Sequence, residues 1–149
     1  MIWLHRTNAQ HPGFIHLVRQ LDAYLAEVDG DDHAFYDQFN SISNLKHVVV
    51  AFHGDDAVGC GAIKEYDEQT VEIKRMYTAP GSRGKGIASM LLRELEKWAG
   101  ELNYSYCILE TGKKQVEAIR LYKKCGYQPM ENYGQYANVE NSVCFEKVL

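Results

Sequence analysis

The run Tyr77-Thr78-Ala79-Pro80-Gly81-Ser82-Arg83-Gly84-Lys85-Gly86-Ile87-Ala88 decides how this chain is read. It follows a strand-like segment and opens the most regular helical pattern in the sequence. Its glycines bare the backbone, and Arg83 and Lys85 add positive charge. A helix N-terminus presents unpaired N–H groups and the positive end of a dipole. A glycine-rich turn lets a phosphate come close enough to use them. The stretch therefore predicts a pyrophosphate cradle.

The helix that follows is amphipathic. Ile87, Leu91, Leu95, Trp98 and Leu102 recur at steps of four, four, three and four, and Ala88, Leu92 and Ala99 widen the stripe. Two common phosphate motifs fail. A P-loop needs Lys and then Ser or Thr after its last glycine, and here Ile87 and Ala88 follow Gly86. The dinucleotide fingerprint needs Gly or Ala three residues after its second glycine, where this chain has Ser89.

With 149 residues the chain is expected to form one domain, 1–149, with a substantial core. Hydrophobic content of 46% and charged content of 24% suit a soluble globular protein. No apolar run reaches transmembrane length and no signal pattern opens the chain, so a cytoplasmic protein without membrane partners is expected. A net charge of −4 argues against nucleic acid as a partner. Cys60, Cys107, Cys125 and Cys144 are widely spaced, with no Cys-x-x-Cys and no His pair at ligand spacing. They read as free, mostly buried thiols, and no metal is expected.

In chain order, Ile2–Arg6 reads as a strand. Pro12 opens a helix with Phe14, Leu17, Val18, Leu21, Leu25 and Val28 on one stripe, ending near Gly30. Residues 29–33 form an acidic break read as a solvated loop with helix-capping aspartates or as a segment beside a cationic acceptor, and a short helix spans about 33–40. Strands follow at 47–52, 57–66 and 70–78, joined by tight turns. In the last of these, Val71 and Ile73 share one face and Glu72 and Lys74 the other. Alternation breaks at Met76-Tyr77, which predicts a β-bulge near Met76 or an irregular strand end. A strand at 106–111 and a helix at 115–125 come next, the helix closing at Gly126. An aromatic loop, Tyr133-Gly134-Gln135-Tyr136, and a strand at 142–149 complete the chain, with a short extra strand near 128–130. The order gives an α+β fold around a mixed sheet.

Arg83-Gly84-Lys85-Gly86-Ile87-Ala88 resembles the (Gln/Arg)-x-x-Gly-x-(Gly/Ala) signature of the GNAT superfamily of N-acetyltransferases. Residues 118–127, Ala118-Ile119-Arg120-Leu121-Tyr122-Lys123-Lys124-Cys125-Gly126-Tyr127, resemble its second signature, Asn-x-x-Ala-x-x-x-Tyr-x-x-x-Gly-Phe/Tyr. The usual Asn is Gln115 here, one methylene longer. The resemblance implies a single GNAT-like domain with a mostly antiparallel central sheet flanked by helices. It implies acetyl-CoA as donor and a primary amine of a small molecule or peptide as acceptor, joined by direct transfer in a ternary complex. Arg83, Gly84, Lys85, Gly86, Ile87 and Ala88 would hold the pyrophosphate. Met76 and Tyr77 would pair with the pantetheine arm and polarise the thioester, with Gln115 in the place of the arm-binding Asn. Tyr122 matches the residue that protonates the departing thiolate. Homodimers are common in the family.

Acetyl transfer needs a neutral amine, oxyanion donors and a leaving thiolate that is protonated or solvated. Glu72, on the strand that approaches the thioester, is the first candidate base. Glu110, at the end of the next strand, is the second, or binds the acceptor's ammonium. A phenol of ordinary pKa near 10 makes Tyr122 a suitable acid, and Tyr133 and Tyr136 are candidates to line the acceptor pocket. Two alternatives stay open: a non-catalytic acyl-CoA-binding module, and transfer of a larger acyl group.

Overall fold

Alternating apolar residues set the strands, and a computed structural model of residues 1–149 joins them into one sheet. In chain order the elements are β1 (Ile2–Thr7), α1 (Pro12–Asp29), α2 (His33–Asp37), β2 (His47–His53), β3 (Asp56–Asp67) and β4 (Thr70–Thr78). After these come α3 (Ile87–Glu101), β5 (Tyr106–Gly112), α4 (Val116–Lys124), β6 (Gln128–Met130) and β7 (Ser142–Val148). The sheet order is β1-β2-β3-β4-β5-β7-β6. Every neighbouring pair is antiparallel except β4–β5. The α+β fold with a mostly antiparallel central sheet is therefore present.

Both faces of the sheet are covered, which is why β2 reads as an almost unbroken apolar run. On one face Val49, Ala51, Ile63, Val71 and Ile73 meet the α3 stripe of Ile87, Leu91, Leu92 and Leu95. On the other, Val48, Val50, Cys60 and Ala62 meet Phe14, Leu17, Val18 and Leu21 of α1. A third, aromatic cluster of Tyr36, Tyr133, Tyr136, Ile108 and Cys144 covers the β5–β7 half of the sheet. Arg6 staples β1 to α3, donating from Nε to Glu94 at 2.7 Å and from Nη1 and Nη2 to Glu101 at 2.8 and 3.0 Å.

Some local expectations need correction. Residues 30–32 form a 3-10 turn, and no aspartate side chain caps α2; its N-cap, Asp32, makes no such bond. Asp29 is not solvated but buried at the end of α1. The second helix stops at Asp37 because a turn follows it directly, with Phe39 N–H bonded to the Tyr36 carbonyl. Leu102 lies just beyond α3 and is exposed, so it does not belong to the α3 stripe. The 133–136 segment is a buried tyrosine turn rather than an open loop.

Two irregularities shape the centre. Between β3 and β4 the register passes from Cys60↔Tyr77 to Ala62↔Lys74, so two steps on β3 face three on β4. The extra residue is the predicted bulge; it falls at Arg75–Met76, and Arg75 takes a φ of 58°. Next to it, the parallel β4–β5 ladder lasts only from Thr70↔Tyr106 to Glu72↔Ile108. Beyond Glu72 the two strands diverge and leave a cleft. Gly61 lies under the bulge: a Cβ there would stand 2.5 Å from Met76 Sδ and 2.9 Å from Leu95 Cδ1. Gly61→Val is expected to lower stability by about 1–3 kcal/mol through overpacking, read by urea unfolding.

Candidate active site

A groove of about 720 Å³ runs between the end of β4, the loop before α3, and α4. Met76, Tyr77, Arg83, Gly84, Gly86, Ile87, Ala88 and Gln115 all line it; Lys85 does not. The loop conformation explains its glycines. Gly84 and Gly86 have φ of 78° and 77°, a region that costs an L-residue energy, while the space around each is open. Gly86 caps α3 with no side-chain hydrogen bond, so no side chain competes for the first N–H groups of the helix. Arg83 is held by an Nε bond of 3.0 Å to the Thr78 carbonyl, its guanidinium 5.9 Å from the Tyr24 ring and 5.8 Å from Tyr77. Exposed amides, a helix dipole and one anchored guanidinium suit a diphosphate.

At its inner end the groove meets a chamber of about 100 Å³ in the β4–β5 cleft. Leu21, Met76, Gln115 and Tyr122 line both spaces and mark the junction. Glu72, Lys74, Glu110 and Asp29 surround the chamber. Glu72 is buried and already engaged: Tyr133 donates to its Oε2 at 2.7 Å, and Lys74 Nζ lies 3.9 Å from Oε1. Glu110 accepts one side-chain hydrogen bond, from Ser142 Oγ at 2.8 Å, and Tyr36 Oη lies 2.8 Å from the same Oγ. Burial pushes the Glu110 carboxyl up to about 7, against the opposing pull of the Ser142 bond and Lys74. Burial also raises Asp29 and depresses Lys74. Tyr122 is buried at the junction, and burial first, then Glu110, drives its phenol well above the usual value.

The predicted residues thus gather around one junction, with three refinements. Tyr136 lines the chamber, whereas Tyr133 stands behind Glu72 and holds it. Lys85 is not part of the groove lining. Sequence reasoning did not single out Tyr36, Ser142, Asp29 or Tyr24; only the acidic break at 29–33 offered a signal, for Asp29.

Residues 14–127 match the acetyltransferase (GNAT) family. The chain belongs to the GNAT family. A similar relative, the IAA acetyltransferase of Azospirillum brasilense, is 30% identical across 99% of this chain and 98% of its own. The uncharacterised N-acetyltransferase YsnE of Bacillus subtilis is 37% identical over 66% of this chain and 67% of its own. A crystal structure from Klebsiella pneumoniae, assigned as an acyl-CoA N-acyltransferase, superposes with a TM-score of 0.84 at 30% identity, covering 100% of this chain and 98% of that one. The fold also matches a GNAT acetyltransferase from Elizabethkingia anophelis with acetyl-CoA bound, at a TM-score of 0.72, 20% identity, and 99% and 98% coverage. This GNAT chain is accordingly an acetyl-CoA-dependent N-acetyltransferase. No helix in it is long and apolar enough to cross a membrane.

The glycine conformations give a direct check on this GNAT loop. Gly86→Ala is expected to cost about 1–2 kcal/mol of stability and to weaken CoA binding roughly tenfold. Unfolding and calorimetric titration read the two effects separately.

Proposed function

We propose that this protein, acting as one domain, acetylates a primary amine of a small molecule or peptide by direct attack within a ternary complex. The carrying observation is the junction, where one wall of Leu21, Met76, Gln115 and Tyr122 serves both the donor groove and the acidic chamber. The donor thioester at the groove's inner end and an amine in the chamber would meet there without a covalent enzyme intermediate.

Glu110 serves as the base in this reading. Glu72, the first candidate from sequence, already accepts a hydrogen bond from Tyr133, and in this reading it is part of the chamber wall. Glu110 is less encumbered, and a base poised near neutral pH combines a large deprotonated fraction with useful proton affinity. The amine nitrogen bonds to the thioester carbon as Glu110 takes its proton. The C–S bond then breaks, and Tyr122 gives its proton to the CoA thiolate. The phenol is protonated at neutral pH and can donate a hydrogen bond to the departing thiolate, its proton being restored from the one that Glu110 takes up. Tyr36 and Ser142 orient Glu110: Ser142 donates to the carboxylate and Tyr36 donates to Ser142.

Release of CoA thiol, followed with a chromogenic disulfide across an amine panel, tests the assignment; no release with any amine would refute it. Glu110→Gln is expected to lower kcat by about 10²–10⁴-fold. Wild-type activity should rise with pH through about 7, and Ser142→Ala, which removes a bond favouring the carboxylate, should move that rise to higher pH. Stability supplies an independent check. A folded-state pKa raised to about 7 from 4.5 means that Glu110 costs stability as pH climbs through that window. Glu110→Gln should therefore be the more stable protein at pH 8 and lose that advantage at pH 5.

A further inference from the structure

A polar recess of about 290 Å³ adjoins the chamber, and Glu72 and Lys74 line both. Gln38, Asn44, Gln135 and Lys64 line the recess. The charges here are unevenly matched. Glu72 is held by Tyr133, and Glu65 accepts from Tyr104 Oη at 2.6 Å. Lys74 is different. Its side chain is only 10% exposed, yet its ammonium donates only to the Phe39 carbonyl, at 3.1 Å. The Glu72 oxygen at 3.9 Å lies beyond hydrogen-bond length. An ammonium carries three donors, so two are left without acceptors inside the fold. Arg75, the next residue on the same wall, pairs through Nη2 with Asp22, but its buried Nε has no partner. Incompletely paired buried cations are costly and favour a ligand anion. Asp29 and Glu110, which line the same chamber, offer carboxylates to an ammonium.

We infer that the acceptor carries a carboxylate on the same molecule as its reacting amine, and that Lys74 selects it. The amine lies toward Glu110 and Tyr122, and the carboxylate lies toward Lys74 at the mouth of the recess. This deepens the transferase reading of the same chamber and rests on it. Lys64, at the rim, adds a second positive charge close enough to act on Lys74.

The test uses matched pairs: β-alanine with propylamine, 4-aminobutyrate with butylamine, and aspartate with its diamide. Phosphoethanolamine is added as the phosphate counterpart of β-alanine. Each is titrated into CoA-saturated protein by calorimetry and then assayed with acetyl-CoA for thiol release. The carboxylate member of a pair should bind and turn over at least roughly tenfold better. Lys74→Met should abolish that preference by raising KM for the carboxylate acceptors while leaving the affinity for CoA unchanged. Lys64→Gln, on the exposed rim, should reduce the preference without abolishing it, and keeps the test decisive should Lys74→Met fail to fold. Equal binding within pairs, no binding by any carboxylate, or tighter binding of phosphoethanolamine would each overturn the inference. Equal turnover within pairs would do so while leaving the transferase assignment standing. Failure of CoA itself to bind would instead remove that assignment and this one with it.

Discussion

The site depends on a ladder that stops early. Parallel pairing between β4 and β5 ends at Glu72↔Ile108, and the bulge at Arg75–Met76 turns the rest of β4 away. Backbone groups that a sheet would normally consume are thereby left at the edge of a cleft. The surrounding chain keeps the interruption stable. Gly61 leaves room for Met76 beneath the bulge, and the Arg75 carbonyl accepts from Cys60 Sγ at 3.4 Å. The Arg75 side chain ties the bulge to Asp22 of α1.

Around that gap the two sheet faces contribute differently. The α3 face supplies the glycine loop, whose backbone conformations and uncapped helix start leave main-chain N–H groups free. The α1 and α2 face supplies the acidic chamber, roofed by tyrosines. Desolvation there raises both the Glu110 carboxyl and the Tyr122 phenol above their usual values.

Much of this was legible in the sequence where the signal is local. The loop and the α3 stripe share one continuous stretch. The bulge announced itself because Met76 and Tyr77, both apolar, sit side by side after Val71 and Ile73. Long-range partnerships left no such trace. Ser142 lies 32 residues from Glu110, and Tyr36 lies 106 from Ser142. The bond from Tyr133 to Glu72 left no trace either, because Tyr133 reads as a loop residue until the 134–136 turn folds it inward. Asp29 looked solvated because its neighbours are acidic, but the turn after α1 hides it.

The placement of β7 bears on how the molecule is made. This strand lies between β5 and β6, pairs with β5 from Tyr106↔Val148 to Gly112↔Ser142, and brings Ser142 to Glu110. A nascent chain that has emerged from the ribosome only as far as residue 141 already contains the whole donor groove. It lacks the strand that seats the acceptor-side carboxylate. The residues that line the groove therefore all precede, in order of synthesis, the strand that carries Ser142.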